Sequence, residues 1–343
     1  MERAFPLAVM ATWSVFTACS PGRHPADAGR AWSYPEDERW TLFHLQAKAT
    51  HNSYHVQGDA DATPWNYTHL PLDRQAEELG VRAFELDVHE MSGAPELQVF
   101  HLAIVDNVTT CATFRECLGV LKGWSDAHPA HHPLFIQVEP KSGATTGDLE
   151  PFFQKLEGDI LAVWGRERLL TPDDVRAGAA TLAEAVRTAG WPVLGRLRGK
   201  AVFAMDDAGE VRRQYTHGLA HLDGRVMFVD SAPSDPFAAV AVLNDPVPQG
   251  PALAAALAAG LLVRTRADSD SVEPLANDRT RLEAALASGA HFISTDYPAP
   301  VPDAGINYAL EIPGGAPSRC NPVTTADAGG CRAQVLEDPA FMR

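Results

Sequence analysis

At 343 residues the chain is long enough for one large domain or two small ones, and 45% hydrophobic with 21% charged residues suits a soluble globular protein with a sizeable core. A formal net charge of -16 excludes a nucleic-acid binder built on excess Lys and Arg, and equally excludes adhesion to anionic membranes through a broad basic patch. Any phosphate must therefore be met locally, by a few cations or a bound metal.

The chain opens on an export signal. Arg3 supplies a positive charge, and Phe5 to Phe16 form an apolar run too short to span a bilayer. The run ends in Thr17-Ala18-Cys19, small residues suited to a signal peptidase. Phe16-Thr17-Ala18-Cys19 also resembles a lipoprotein processing site, so residues 1–18 are expected to be removed. The product is then either lipid-anchored to the cell envelope through Cys19 or secreted. Residues 19–40, rich in Pro, Gly, Ala and charge, read as a tether.

From residue 41 to 300 short apolar runs alternate with longer amphipathic stretches. Candidate strands are Leu45–Thr50, Arg82–Val88, Leu97–His101, Leu134–Glu139, Ala201–Asp206, Val226–Asp230, Leu261–Thr265 and His291–Thr295. Helical patterns lie between most of them, at Leu72–Leu79, Thr113–Ala127, Leu149–Trp164, Thr181–Arg187, Ala252–Ala259 and Arg279–Ala287. Several stop at a glycine just before the next strand: Gly80, Gly260 and Gly289. Eight strands joined by helices in this length predict an α/β protein of the TIM (β/α)8 barrel type, with an open doubly wound sheet as the alternative. Residues 301–343 read as a surface tail pinned by a disulfide.

Four cysteines remain after Cys19: Cys111, Cys117, Cys320 and Cys331, an even number suited to two disulfides in an oxidising compartment. Three pairings are open, and local loops favour Cys111–Cys117 and Cys320–Cys331. If both Cys111 and Cys117 lay in one helix their Cα atoms would be roughly 9 Å apart, too far to bridge. Cys111 is therefore expected in a loop just before a helix that contains Cys117.

Polar residues gather at strand ends. Alternation puts Val81, Ala83, Glu85 and Asp87 on one face of the second strand, with Phe84, Leu86 and Val88 on the other. The large apolar set would pack on helices, which turns both carboxylates into the barrel. The same parity groups Leu97, Val99 and His101, then Phe135, Gln137, Glu139 and Lys141, and then Arg264 with Arg266. Ionisable groups thus collect at the end where TIM barrels place catalysis. Carboxylates at Glu85, Asp87 and Glu139 in one cavity would repel one another and rise in pKa unless a cation sat among them. Oxygen donors without cysteine point to a hard ion, Ca2+ or Mg2+, with the Asn52 amide completing part of the shell. His51 and His101 suit proton transfer and charge stabilisation better than metal binding. His69, His131 and His132, in loops with proline, are expected to be exposed. Trp65 and Tyr67, in the loop Val56–Pro71, are candidates for touching lipid.

Ala49-Thr50-His51-Asn52-Ser53-Tyr54-His55, Gly80-Val81-Arg82-Ala83-Phe84-Glu85-Leu86-Asp87-Val88, Val99-Phe100-His101 and Val138-Glu139-Pro140-Lys141 together resemble the calcium-dependent phosphatidylinositol-specific phospholipase C family. Leu262-Val263-Arg264-Thr265-Arg266-Ala267-Asp268 and Ile293-Ser294-Thr295-Asp296-Tyr297 look like its bacterial secreted branch. The resemblance implies a TIM barrel, Ca2+ on Asn52, Glu85, Asp87 and Glu139, and cleavage of a phosphodiester by a neighbouring hydroxyl through a cyclic phosphate. By the same resemblance His51 would stabilise charge on the phosphate, His101 would protonate the leaving alkoxide, and Glu85 is favoured as base. Lys141, Arg264 and Arg266 would hold phosphate or inositol hydroxyls. A monomer acting on a phospholipid headgroup, with a membrane surface as partner and no nucleic acid, is expected. A glycerophosphodiester phosphodiesterase ranks second, because His51-Asn52-Ser53 stands where His-Arg-Gly is usual and Glu-Asn-Thr does not occur. A non-catalytic headgroup-binding lipoprotein ranks third.

Overall fold

The computed structural model describes residues 32–58, 63–141, 147–325, 330–338 and 340, and from Tyr34 onward they form one compact unit. The expected signal and Cys19 lie outside the described residues. Residues 34–40, at the end of the expected tether, pack on the body. Trp40 is buried, Arg198 pairs with Asp37 at 2.7 Å, and the Arg198 guanidinium stacks 3.6 Å over the Tyr34 ring.

Eight parallel strands curl into an irregular barrel: β1 (Leu45–Thr50), β2 (Ala83–His89), β3 (Leu134–Pro140), β4 (Ala201–Met205), β5 (Phe228–Val229), β6 (Val240–Val242), β7 (Leu262–Arg266) and β8 (Phe292–Thr295). Neighbours pair in chain order, and β8 returns to β1 through Ala47–Phe292 to Thr50–Thr295. The seam between β5 and β6 is the weakest. A single bridge, Asp230 to Val240, spans it, with Ser231 N donating to Val240 O at 3.0 Å. No helix separates these two strands, so this stretch departs from the regular (β/α)8 repeat.

The strand expectations require one correction. Leu97–His101 is not a barrel strand; Gln98–Val99 pairs antiparallel with Val88 and His89 at the exit of β2. Residues 90–97 are too few for the crossover that a parallel neighbour needs. Val240–Val242, which carries no clear sequence signal, completes the set of eight as β6.

Register sets which side chains enter the barrel. Parallel partners share a face, so Ala47, Ala49, Ala83, Phe135, Val202, Ala204, Phe228, Leu262 and Phe292 point inward and form its buried floor. Phe135 and Phe292 stack across it with ring centroids 4.2 Å apart. Small alanines on β1 and β2 leave room for these two rings. Above the floor the inward positions turn polar: Glu85 and Asp87 on β2, Gln137 and Glu139 on β3, Arg264 and Arg266 on β7, Ser294 on β8.

Helices α1 (Leu72–Glu78), α2 (Phe114–Ala127) and α3 (Glu150–Trp164) cover the first half of the barrel. Thr113 caps α2 by accepting from Glu116 N at 3.2 Å. That places Cys111 in the preceding loop, where it bridges Cys117 with Cα atoms 5.2 Å apart. Gly260 ends its helix at φ +85, and a Cβ there would lie 2.8 Å from Val186 O, so only glycine fits. The second disulfide joins Cys320 and Cys331. The expected surface tail is corrected in part, because described residues of it enter the body. Ser318–Cys320 pairs antiparallel with Leu45–Ala47 below the point where β2 joins β1, and Glu337 meets the buried Arg82 at 2.8 Å.

Candidate active site

His51 and Asn52 follow directly on β1. Asn52 sits at φ 42, the left-handed region that asparagine tolerates better than most residues. Ser53 clamps this turn to β2: its N donates to Glu85 O at 3.0 Å, and its hydroxyl accepts from Glu85 N at 2.8 Å. The β1 exit and Glu85 are therefore fixed relative to one another by backbone contacts.

Glu85, Asp87 and Glu139 each offer a carboxylate oxygen, and the three lie within 4.8 Å of one another. Burial first and Glu139 second push Asp87 well above the usual carboxylate range. Both Asp87 oxygens are buried without a hydrogen bond, while the Lys141 ammonium stands 3.4 Å from Asp87 and 2.6 Å from Glu139. Burial would also raise Glu85, but Arg264 and then His51 outweigh it and hold this carboxyl below its ordinary value. Tyr54 donates to Asn52 Oδ1 at 3.3 Å, and its phenol is raised by burial and then by Asp87, which places Asn52 beside the carboxylates. Close oxygens with unpartnered lone pairs fit a hard cation. Glu85, Asp87, Glu139 and Asn52 could hold it.

The two histidines are each held by a carboxylate. His51 Nδ1 lies 2.6 Å from Asp296 Oδ1, and its Nε2 faces Arg266 Nη1 at 3.2 Å and Glu85 Oε1 at 3.9 Å. His101 Nδ1 lies 2.8 Å from Asp106 Oδ2, with the Trp65 ring edge-on at 5.5 Å.

The cations expected to meet substrate all contact the site's own acids. Arg264 pairs with Glu85 and bonds Asn244 and Ser294, Arg266 pairs with Asp296 at 2.9 Å, and Lys141 bridges Asp87 and Glu139. Asp296 and Asp106 were not singled out from sequence. Asp296 follows β8 directly, a strand-end position that could have marked it. Asp206, at the end of β4, was missed as well. It accepts from Gln137 at 2.6 Å, and burial followed by Glu85 pushes it up to about 7.

Four exposure expectations are corrected. Tyr67 is buried against the His55 ring at 4.3 Å and cannot touch lipid as it stands. His69 is buried and bonds His51 O at 2.9 Å. His131 and His132 are buried as well, bonded to Ser125 and Ser318.

Comparison with known proteins identifies the family and the fold. Residues 89–322, more than half of the chain, match the model of a family described as phosphoinositide phospholipase C, Ca2+-dependent. That interval begins just after Asp87, so His51, Asn52, Glu85 and Asp87 stand on their own geometry. Among curated proteins none matches. A Ca2+-dependent phosphatidylinositol-specific phospholipase C from Streptomyces antibioticus has a similar fold, with TM-score 0.56 and 19% identity over 78% of this chain and 96% of that one. A calcium-dependent phosphoinositol-specific phospholipase C from a Pseudomonas species gives TM-score 0.56 and 17% identity over 83% and 97%.

Proposed function

The chain belongs to the Ca2+-dependent phosphoinositide phospholipase C family, and from that premise we propose that it cleaves phosphatidylinositol by attack of the substrate's own 2-hydroxyl at the Glu85 cluster. The observation that carries this reading is the group of carboxylates within 4.8 Å, flanked by two histidines that each hold a carboxylate on Nδ1. Calcium, when bound to Glu85, Asp87, Glu139 and Asn52, would lower the pKa of the attacking hydroxyl and draw charge from the phosphoryl oxygens.

Glu85, kept ionised by Arg264, takes the proton from the 2-hydroxyl. His51, oriented by Asp296 and backed by Arg266, faces the charge that builds on the phosphate. His101 gives its Nε2 proton to the diacylglycerol oxygen as the P–O bond breaks, leaving a cyclic inositol phosphate. Lys141, which neutralises Asp87 and Glu139 here, is the cation that a bound metal would release toward substrate.

Membrane engagement rests on local apolar surface rather than on net charge. Ile104, 92% exposed, and Val105 form the tip of a hairpin directly after His101. Such a tip suits a lipid surface at the mouth of the site. Export is supported by the N-terminal run and by two disulfides. Among the described residues no helix is long and apolar enough to cross a membrane. Cleavage before Cys19 would leave the chain attached to the cell envelope by a lipid on that residue.

Phosphorus NMR of phosphatidylinositol digests tests the chemistry. A cyclic inositol phosphate is expected to appear first, and His51→Ala and His101→Ala are expected to slow it by about 10²-fold or more. Release of glycerol phosphate from a glycerophosphodiester, with no inositol phosphate from phosphatidylinositol, would favour the second reading instead.

A further inference from the structure

We propose that Asp106, braced by the buried His55, is the positioning residue that fixes His101 for proton delivery to the leaving group; this rests on the reading of His101 as the acid. Leu102 and Asp106 exchange backbone hydrogen bonds, Leu102 N to Asp106 O at 2.8 Å and Asp106 N to Leu102 O at 3.0 Å. This folds residues 103–105 into a tight hairpin and brings the Asp106 side chain back onto His101. Oδ2 accepts from His101 Nδ1 at 2.8 Å, and Oδ1 accepts from His55 Nε2 at 2.7 Å. One buried carboxylate thus serves two imidazoles.

The brace is rigid on its far side. His55 is fully buried, its N donates to Asn52 O at 2.8 Å, and its ring packs at a tilt against Tyr67. Val56 N to Val108 O at 3.2 Å and Thr110 N to Tyr54 O at 2.7 Å tie the hairpin's return strand to the same turn. His55 therefore belongs to the segment that carries His51 and Asn52, while His101 belongs to the segment after Gln98–Val99. Asp106 joins the two.

The chemical need is specific. An acid must present a proton on one chosen nitrogen, and an imidazole free to rotate or change tautomer does so only part of the time. A carboxylate on Nδ1 leaves Nε2 as the nitrogen for substrate and favours the imidazolium. Burial holds the proton affinity of His101 below its ordinary value, and Asp106 opposes that effect. In the step itself the Nε2–H bond breaks, the proton joins the departing oxygen, and the electron pair of the P–O bond goes to that oxygen.

The test compares two inositol phosphodiesters that differ only in the leaving group, an alkyl alkoxide and p-nitrophenolate, which departs without a proton. His101→Gln sets the reference and is expected to lose activity on the alkyl ester while keeping most of it on the aryl ester. Asp106→Asn is expected to lower kcat on the alkyl ester by about 10- to 100-fold with KM unchanged, and to change the aryl rate by less than about 3-fold. His55→Gln, which leaves the carboxylate in place, is expected to give the same selectivity in smaller measure, covering the case in which Asp106→Asn does not fold. Equal losses on both esters in Asp106→Asn, or no loss on either, would overturn the proposal while His101→Gln still discriminates. Equal losses in His101→Gln would remove the acid role itself, and the proposal with it.

Discussion

The Nδ1–H of His51 points at Oδ1 of Asp296 across 2.6 Å, a pairing between the exits of the first and last barrel strands. Asp296 lies well below the usual carboxylate range. Burial acts to raise it, but His51 and Arg266 outweigh that effect. In the proposed reaction the anion would fix the His51 tautomer and leave Nε2 for the phosphate. Asp296→Asn is expected to lower kcat by about 10²- to 10⁴-fold, since a misplaced tautomer disables a histidine that remains present. Steady-state kinetics with a circular-dichroism check on folding would measure this. A loss below about 3-fold would show that His51 does not depend on Asp296.

Lys141 shares the Asp87 and Glu139 carboxylates with any metal that enters. Burial lowers its proton affinity, but Asp87 and Glu139 raise it by more, so the ammonium stays charged and competes with a cation. Lys141→Met is expected to tighten Ca2+ binding by about 10-fold, because the metal no longer displaces a resident charge. The same change should raise KM if Lys141 also serves the phosphate. Calorimetric titration with Ca2+ reads the first effect directly; weaker binding in the variant would contradict it.

The Arg82–Glu337 pair ties β2 to the chain's last described segment inside the protein. Arg82 also donates to Ala76 O and lies 4.7 Å from the Trp124 ring, so its charge is enclosed. Glu337→Ala leaves that charge without its anion and is expected to cost about 3–5 kcal/mol of stability. Urea unfolding of the variant and the parent would show it as a lower midpoint at unchanged slope.

Buried histidines set the acid limit of the fold. Burial holds His131 and His291 down at about 3, and it holds His132 well below its ordinary value. All three remain neutral in the folded protein while their unfolded counterparts take up protons below about 6.5. The unfolded state therefore binds more protons in that window, and stability falls as pH falls from about 6.5 toward 3. Each group contributes a slope of roughly 1.4 kcal/mol per pH unit. Melting temperatures between pH 7 and 4.5 should drop steeply, and His291→Gln should flatten the curve.

The inward placement of Glu85 and Asp87 was legible because parity is strict. Once Phe84, Leu86 and Val88 face the helices, Glu85 and Asp87 can only face inward, and β2 has that arrangement. The disulfide pairing was legible only as a preference: loop length favoured Cys111–Cys117 among three open pairings, and helix rise placed Cys111 in the loop before α2. Strand β6 was not legible. Val240–Val242 is three residues long and buried, and a short apolar run carries no period. Leu97–His101 misled in the opposite way, because alternation marks a strand but not its direction, and only the short connection after β2 betrays the antiparallel pairing. The carboxylates behind the histidines were hidden because Asp296 and Asp106 meet their partners across long or folded-back stretches of chain.

In the proposed reaction Glu85, Asp87 and Glu139 hold a calcium ion on which phosphodiester cleavage depends. The most direct measurement is phosphatidylinositol turnover during a calcium titration of chelator-stripped protein, with Asp87→Asn in parallel. Turnover is expected to vanish on chelation, to return in proportion to calcium bound, and to require far more calcium in the variant. Undiminished turnover in excess chelator would contradict the account.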